Sequence, residues 1–342
     1  MRAAPRFWWR PPGFASALLG PVGALVGAVA LRRMDAPGGM VGAPVICIGN
    51  PTVGGAGKTP TAIALLDRLA ARGARPFALL RGHGGTARGL LRVDPARHGA
   101  AEVGDEALLL ARHAPTIVAG DDRIGGARLA VAEGASHIVM DDGFQNPSLH
   151  KDTALLVVDG AVGVGNGRVT PAGPLRAPLA PQLARADAVL VVGDGAAGET
   201  VAQAARRAGV KVLRGRLAPD PRAVAALRDA PLLAFAGIGR PEKFFATLAA
   251  EGLALAGCRA FPDHHPFRIG EIEALVAEAA RLKARLVTTE KDMARLSGAG
   301  FAAWRGAIAA LPVTLRLDTP EALDTLIAGA EARCAERRGK GS

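Results

Sequence analysis

The chain is expected to be an α/β protein. A mainly parallel sheet with helices on both faces is followed by a second, smaller α/β domain and preceded by an apolar N-terminal helix. Three observations predict this. Short apolar runs alternate with Ala/Leu/Arg-rich helical stretches, as in a parallel sheet covered on both faces. Thr52-Val53-Gly54-Gly55-Ala56-Gly57-Lys58-Thr59 lies between the apolar run Val45–Ile48 and a helical stretch from Ala62 to Ala71. At 342 residues the chain exceeds the size at which one core stops growing.

Taken in order, the first element is an uncharged run of 21 residues, Pro11 to Leu31, flanked by Arg2, Arg6 and Arg10 and by Arg32 and Arg33. As a helix it would extend about 30 Å, enough to cross a bilayer. Pro21 and four glycines interrupt it, while Leu18, Val22, Leu25 and Val29 recur on one face. That stripe fits a helix lying in the membrane interface at least as well as a spanning one. A helix packed on the protein's own core, or a signal peptide ending at Ala28-Val29-Ala30, would explain the run differently. Membrane association of residues 1–34 is the expectation.

The β-like runs follow: Val45–Ile48, Pro76–Leu80, Thr116–Ala119, His137–Met140, Ala154–Val158 and Ala188–Val192. The Gly/Pro-rich stretch from Gly160 to Pro181 reads as a long functional loop. A second alternating series begins around Val212 or Leu232, takes in Leu232–Ala236 and continues to Leu286–Thr289. The expected division is 1–34, 35–215 and 216–335, with a charged tail fraying from Cys334.

The glycine-rich turn is a P-loop, so the larger domain is of P-loop NTPase type. Glycines let backbone N–H groups close around phosphate oxygens; Lys58 can reach the β- and γ-phosphates and Thr59 can hold Mg²⁺. The whole turn, Thr52, Val53, Gly54, Gly55, Ala56, Gly57, Lys58 and Thr59, is the nucleotide-binding candidate, although Thr52 stands where the usual pattern has Gly. Ile138-Val139-Met140-Asp141-Asp142 is an apolar strand ending in carboxylates, and Asp141 or Asp142 can serve the metal. Thr289-Glu290-Lys291-Asp292 has the wrong spacing for a guanine-reading motif.

A net charge of +11 favours an anionic partner, but aromatics are only 4% with no tyrosine, so nucleic-acid binding is not expected. Cys47, Cys258 and Cys334 are scattered, which argues against a disulfide framework or a zinc cluster and suits a reducing compartment.

The remaining polar clusters change the weighting jointly. T-V-G-G-A-G-K-T, R-G-H-G-G, V-G-D-E, D-D-G-F-Q, L-H-K-D, P-A-G-P-L-R, F-P-D-H-H and T-T-E-K-D occur in this order from about Val45 to Asp292. Together they resemble the tetraacyldisaccharide 4'-kinase family, the lipid A 4'-kinases. The resemblance implies ATP, Mg²⁺ and transfer of the γ-phosphoryl group to the 4'-hydroxyl of a lipid A disaccharide 1-phosphate. It further implies work at the cytoplasmic face of the inner membrane, docked through the N-terminal helix, with no protein partner. Asp105 and His264 would form an acid–base pair at the hydroxyl. Lys58 and Arg123 would neutralise phosphoryl charge, and Arg81, Arg123, Gln145 and Arg176 would bind substrate. Ala107, Asn146 and Ala177 depart from the family's Pro, His and Glu. The rival reading is a membrane-attached P-loop ATPase switch, which leaves Pro171–Arg176 and the Asp263-His264 pair unexplained.

Overall fold

The computed structural model describes residues 4–339; Arg2 and the last three residues of the expected tail lie outside them. Eight strands come first: β1 (Val45–Gly49), β2 (Pro76–Leu80), β3 (Leu91–Arg92), β4 (Thr116–Val118), β5 (His137–Asp141), β6 (Thr153–Asp159), β7 (Ala188–Val192) and β8 (Lys211–Pro219). Then follow β9 (Leu232–Ala236), β10 (Leu255–Ala260), β11 (Arg285–Thr289), β12 (Ile308–Leu311) and β13 (Val313–Leu317). The larger sheet runs β13-β8-β7-β6-β1-β5-β2-β4-β3 and the smaller β10-β9-β11-β12. Only the two edge pairs of the larger sheet, β13 with β8 and β3 with β4, are antiparallel.

Burial explains the choice of residues. β1, β2, β5, β6 and β7 are buried at every position, so both sheet faces need apolar side chains and the strands read as continuous apolar runs. Leu65, Leu66 and Leu69 of the helix Lys58–Ala71 pack on one face. Ala127 and Ala130 of Arg123–Ala132 and Val201 of Ala196–Arg207 pack on the other. The expected layering is therefore present.

The expected division at 215 differs from this architecture at its far end. β13 hydrogen-bonds to β8, and Leu323, Leu326, Ile327 and Ala330 of the helix Ala322–Gly339 join the core of the larger sheet. Residues 220–312 are thus an insertion whose two ends are tied together by the Asp220 N–H donating to the Pro312 carbonyl at 2.9 Å. The tail does not fray at Cys334, which is buried. Arg337 clamps Asp152 through two 2.9 Å hydrogen bonds, and Asp152 also accepts from the Val45 N–H. Asp152 of L-H-K-D therefore anchors the end of the chain.

The N-terminal arm is two helices, Phe14–Leu18 and Gly20–Met34, and among the described residues no helix is long and apolar enough to cross a membrane. Its small face packs inward: a Cβ at Gly23 would meet the Val169 carbonyl, and one at Gly27 would meet Pro178. Its large apolar face points out, with Phe14 85%, Leu18 68% and Leu25 67% exposed.

Candidate active site

β1 delivers the chain to the P-loop at the carboxyl edge of the sheet, and the helix Lys58–Ala71 leaves from it. Gly54 and Gly57 take φ of +107° and +96°, values that disfavour a Cβ, and a Cβ at Gly54 or Gly55 would meet open space. Lys58 lies 3.8 Å from Asp142 Oδ1, and its Nζ donates to the Gly54 carbonyl at 3.5 Å. The first half of the turn is braced by the Gly/Pro-rich loop. Val53 N–H donates to the Pro174 carbonyl at 2.8 Å, and Arg176 Nε donates to the Thr52 carbonyl at 3.0 Å.

The two carboxylates after β5 have opposite environments. Asp142 has φ +55° and takes a forked pair of bonds from Arg176 at 2.7 and 3.0 Å. Burial opposes its charge, but Lys58 and Arg176 outweigh that and lower its pKa to about 2. Asp141 is 1% exposed and neither carboxylate oxygen has a hydrogen-bond partner. Burial, with Glu106 nearby, raises its pKa to about 7.

An unsatisfied buried carboxylate is costly unless a ligand completes it. Asp141 and the Thr59 hydroxyl could hold Mg²⁺. No group of three or more His, Cys, Asp or Glu suited to a metal occurs among the described residues. That sparse set fits Mg²⁺, which takes one or two carboxylates and leaves the other positions to phosphate and water.

The insertion closes over this edge. His264, from the loop after β10, has φ +56° and places Nδ1 3.1 Å from Asp105 Oδ2, at the start of the helix Asp105–Leu110. Arg295, on the short helix Glu290–Arg295, donates to the same oxygen from Nε at 2.8 Å and Nη2 at 2.5 Å. Burial works against an anionic Asp105, but the His264 hydrogen bond and the charges of Lys291 and Arg295 hold its carboxyl well below the usual range. In return the Asp105 hydrogen bond raises the His264 pKa, against burial. Beside them Lys291 Nζ donates to Glu106 Oε1 at 2.6 Å, and the Thr59 hydroxyl donates to the same oxygen at 3.3 Å. At the opposite rim, Arg240 and Lys243 pair with the buried Asp159 at 2.9 and 3.1 Å.

The structure thus brings Lys58, Thr59, Asp141, Asp142, Asp105, His264 and Arg176 to one cleft. Gln145 turns to protein partners, donating to the Asn50 carbonyl and to Gln182 Oε1, each at 2.9 Å. Arg81 is exposed at the rim, 3.0 Å from Asp121. Arg123 is 3% exposed, with its guanidinium on the Gly120 carbonyl and its Nε buried without a partner. Glu106, Lys291 and Arg295 were not among the residues expected from sequence. T-T-E-K-D marks the right neighbourhood, but nothing local says that its helix faces Asp105.

A family model described as tetraacyldisaccharide-1-P 4'-kinase matches residues 15–331. A tetraacyldisaccharide 4'-kinase from Xanthobacter autotrophicus is 73% identical, with 98% of this chain and 99% of that protein covered. One from Azorhizobium caulinodans is 59% identical over 98% of each chain. A crystal structure of LpxK from Aquifex aeolicus, described as an "apo" form in complex with ATP, matches with a TM-score of 0.70 at 25% identity, covering 93% of this chain and 99% of that one.

Proposed function

The chain belongs to the tetraacyldisaccharide 4'-kinase family and uses ATP to phosphorylate a lipid A precursor; from that premise we propose how its residues perform the transfer. The P-loop from Thr52 to Thr59 holds the triphosphate, with Lys58 on the β- and γ-phosphates. Thr59 and Asp141 hold Mg²⁺, which when bound neutralises charge on the phosphate oxygens. Asp142, paired with Lys58 and Arg176, sets the positions of both cations.

The observation that carries this reading is the Asp105–His264 contact, 3.1 Å across two units and 159 residues apart in sequence, facing the P-loop edge. A sugar hydroxyl is a weak nucleophile whose proton leaves late in a loose phosphoryl-transfer transition state. Asp105, kept anionic and fixed by Arg295, accepts that hydroxyl's hydrogen bond, aims its oxygen and takes the proton as the P–O bond forms. His264 holds Asp105 in place and shares the proton. Arg81, exposed at the rim, is available to the acceptor's own phosphate.

The enzyme meets its lipid at a bilayer surface, where Phe14, Leu18, Val22, Leu25 and Val29 are submerged and Arg10, Arg32 and Arg33 meet anionic head groups. Exposure of that whole stripe, with the small residues turned inward, supports this orientation. The test is transfer of label from γ-labelled ATP to a tetraacyldisaccharide 1-phosphate. Wild type labels the lipid and Lys58→Ala does not. Label released only as inorganic phosphate would favour a switch ATPase.

A further inference from the structure

We propose that Lys291 is a second phosphoryl-binding cation, supplied by the inserted unit to the terminal phosphate of ATP in addition to Lys58. The inference rests on the kinase reading above and extends it to a residue that reading does not use. Lys291 Nζ is 2.6 Å from Glu106 Oε1, and the same oxygen is 3.3 Å from the Thr59 hydroxyl. The ammonium therefore stands two contacts from the first turn of the P-loop helix.

The pair lines the cleft, with Lys291 26% and Glu106 19% exposed at the side chain. Two neighbouring cations of the cleft have several partners. Arg295 binds Asp105, Asp292 and the Gly237 carbonyl. Arg176 is forked on Asp142 and bound to the Thr52 carbonyl. Lys291 has one hydrogen-bond partner among the described residues, and an ammonium carries three donors. Its charge is also felt by Asp105 and Asp141.

Two physical arguments assign the role. Charge in the transition state spreads over three equatorial oxygens, and a cation on the P-loop side alone leaves part of that charge unmatched. Lys291 and Arg295 are also four residues apart on one helix and so share a face. Docking that helix brings the brace for Asp105 and the second cation together, which makes transfer depend on closure of the inserted unit.

The experiment uses the full chain in detergent and measures binding of β,γ-methylene ATP and of ADP, each with Mg²⁺. Lys291→Met is expected to weaken the ATP analogue by about 10- to 100-fold, the range of a charge-assisted hydrogen bond, while leaving ADP affinity unchanged. Glu106→Gln/Lys291→Met, which removes both members of the pair, is expected to show the same selective loss. An equal loss for both nucleotides, no loss for either, or recovery in the double variant would overturn the proposal, since Lys291 would then only balance Glu106. Failure of the kinase reading is distinguishable, because wild type would then leave a tetraacyldisaccharide 1-phosphate unlabelled by γ-labelled ATP, whatever its affinity for the two nucleotides.

Discussion

Asp105→Asn separates the chemistry of the site from its architecture, because the substitution keeps shape and removes charge. Asp105 accepts from Arg295 at 2.8 and 2.5 Å and from His264 at 3.1 Å. An asparagine retains one oxygen acceptor, and Arg295 keeps Asp292 at 2.6 Å and the Gly237 carbonyl at 2.7 Å. The guanidinium is therefore not stranded. The stability loss should be about 1–3 kcal/mol, short of the roughly 3–5 kcal/mol of a buried ion left without any partner. The amide cannot take the hydroxyl's proton, so turnover should fall by about 10²–10⁴, equivalent to about 3–5 kcal/mol of barrier. The assay pairs initial rates of label transfer at saturating ATP with urea unfolding and with affinity for β,γ-methylene ATP, which should be nearly unchanged. Turnover within about threefold of wild type in a folded, nucleotide-binding variant would remove Asp105 from the reaction and refute the reasoning, given the range expected of acid–base groups.

Three further outcomes are expected. Asp141→Asn should raise the Mg²⁺ concentration needed for half-maximal rate by at least about tenfold, in line with loss of a charge-assisted contact; an unchanged requirement assigns the metal elsewhere. Leu18→Ser with Leu25→Ser should cut vesicle binding by at least about a hundredfold, at roughly 1.5–3 kcal/mol per leucine submerged, while turnover of detergent-dispersed lipid stays constant; vesicle binding that persists places the anchor on another face. The Asp105 hydrogen bond raises the folded-state pKa of His264 above its ordinary 6.5. The stability this contributes is complete below pH 6.5 and is lost as pH rises through the raised value. The melting-temperature advantage of wild type over His264→Gln should therefore shrink as pH climbs above 6.5, and a constant difference would show that the pair is not charged.

The parts of this molecule legible in sequence are those with local causes. The P-loop is readable because its positive-φ glycines and its lysine lie within eight consecutive residues after an apolar strand. The arm is readable because its small and large residues already segregate to two faces. The architecture of the insertion is not, since β13 looks like any strand of the smaller sheet until its antiparallel pairing with β8 is seen. Asp105 and His264 came into view through motif resemblance, as their contact spans 159 residues. Arg295 is 190 residues from the carboxylate it braces, and no spacing rule reaches that far. The differing fates of Asp141 and Asp142 follow from one residue of backbone: the first ends a buried strand, and the second turns at φ +55° toward Arg176. L-H-K-D carried no indication that its aspartate, Asp152, secures the C-terminal helix through Arg337.

The central claim is that the Lys58 turn directs the terminal phosphoryl group of ATP to a sugar hydroxyl held by Asp105 at the other side of the cleft. ³¹P NMR of the lipid recovered after complete reaction with ATP tests it most directly. The account predicts a new phosphate monoester coupled to the proton at the 4' carbon, beside the untouched 1-phosphate. A diphosphate at the 1-position, or a lipid spectrum unchanged while ATP is consumed, would contradict it.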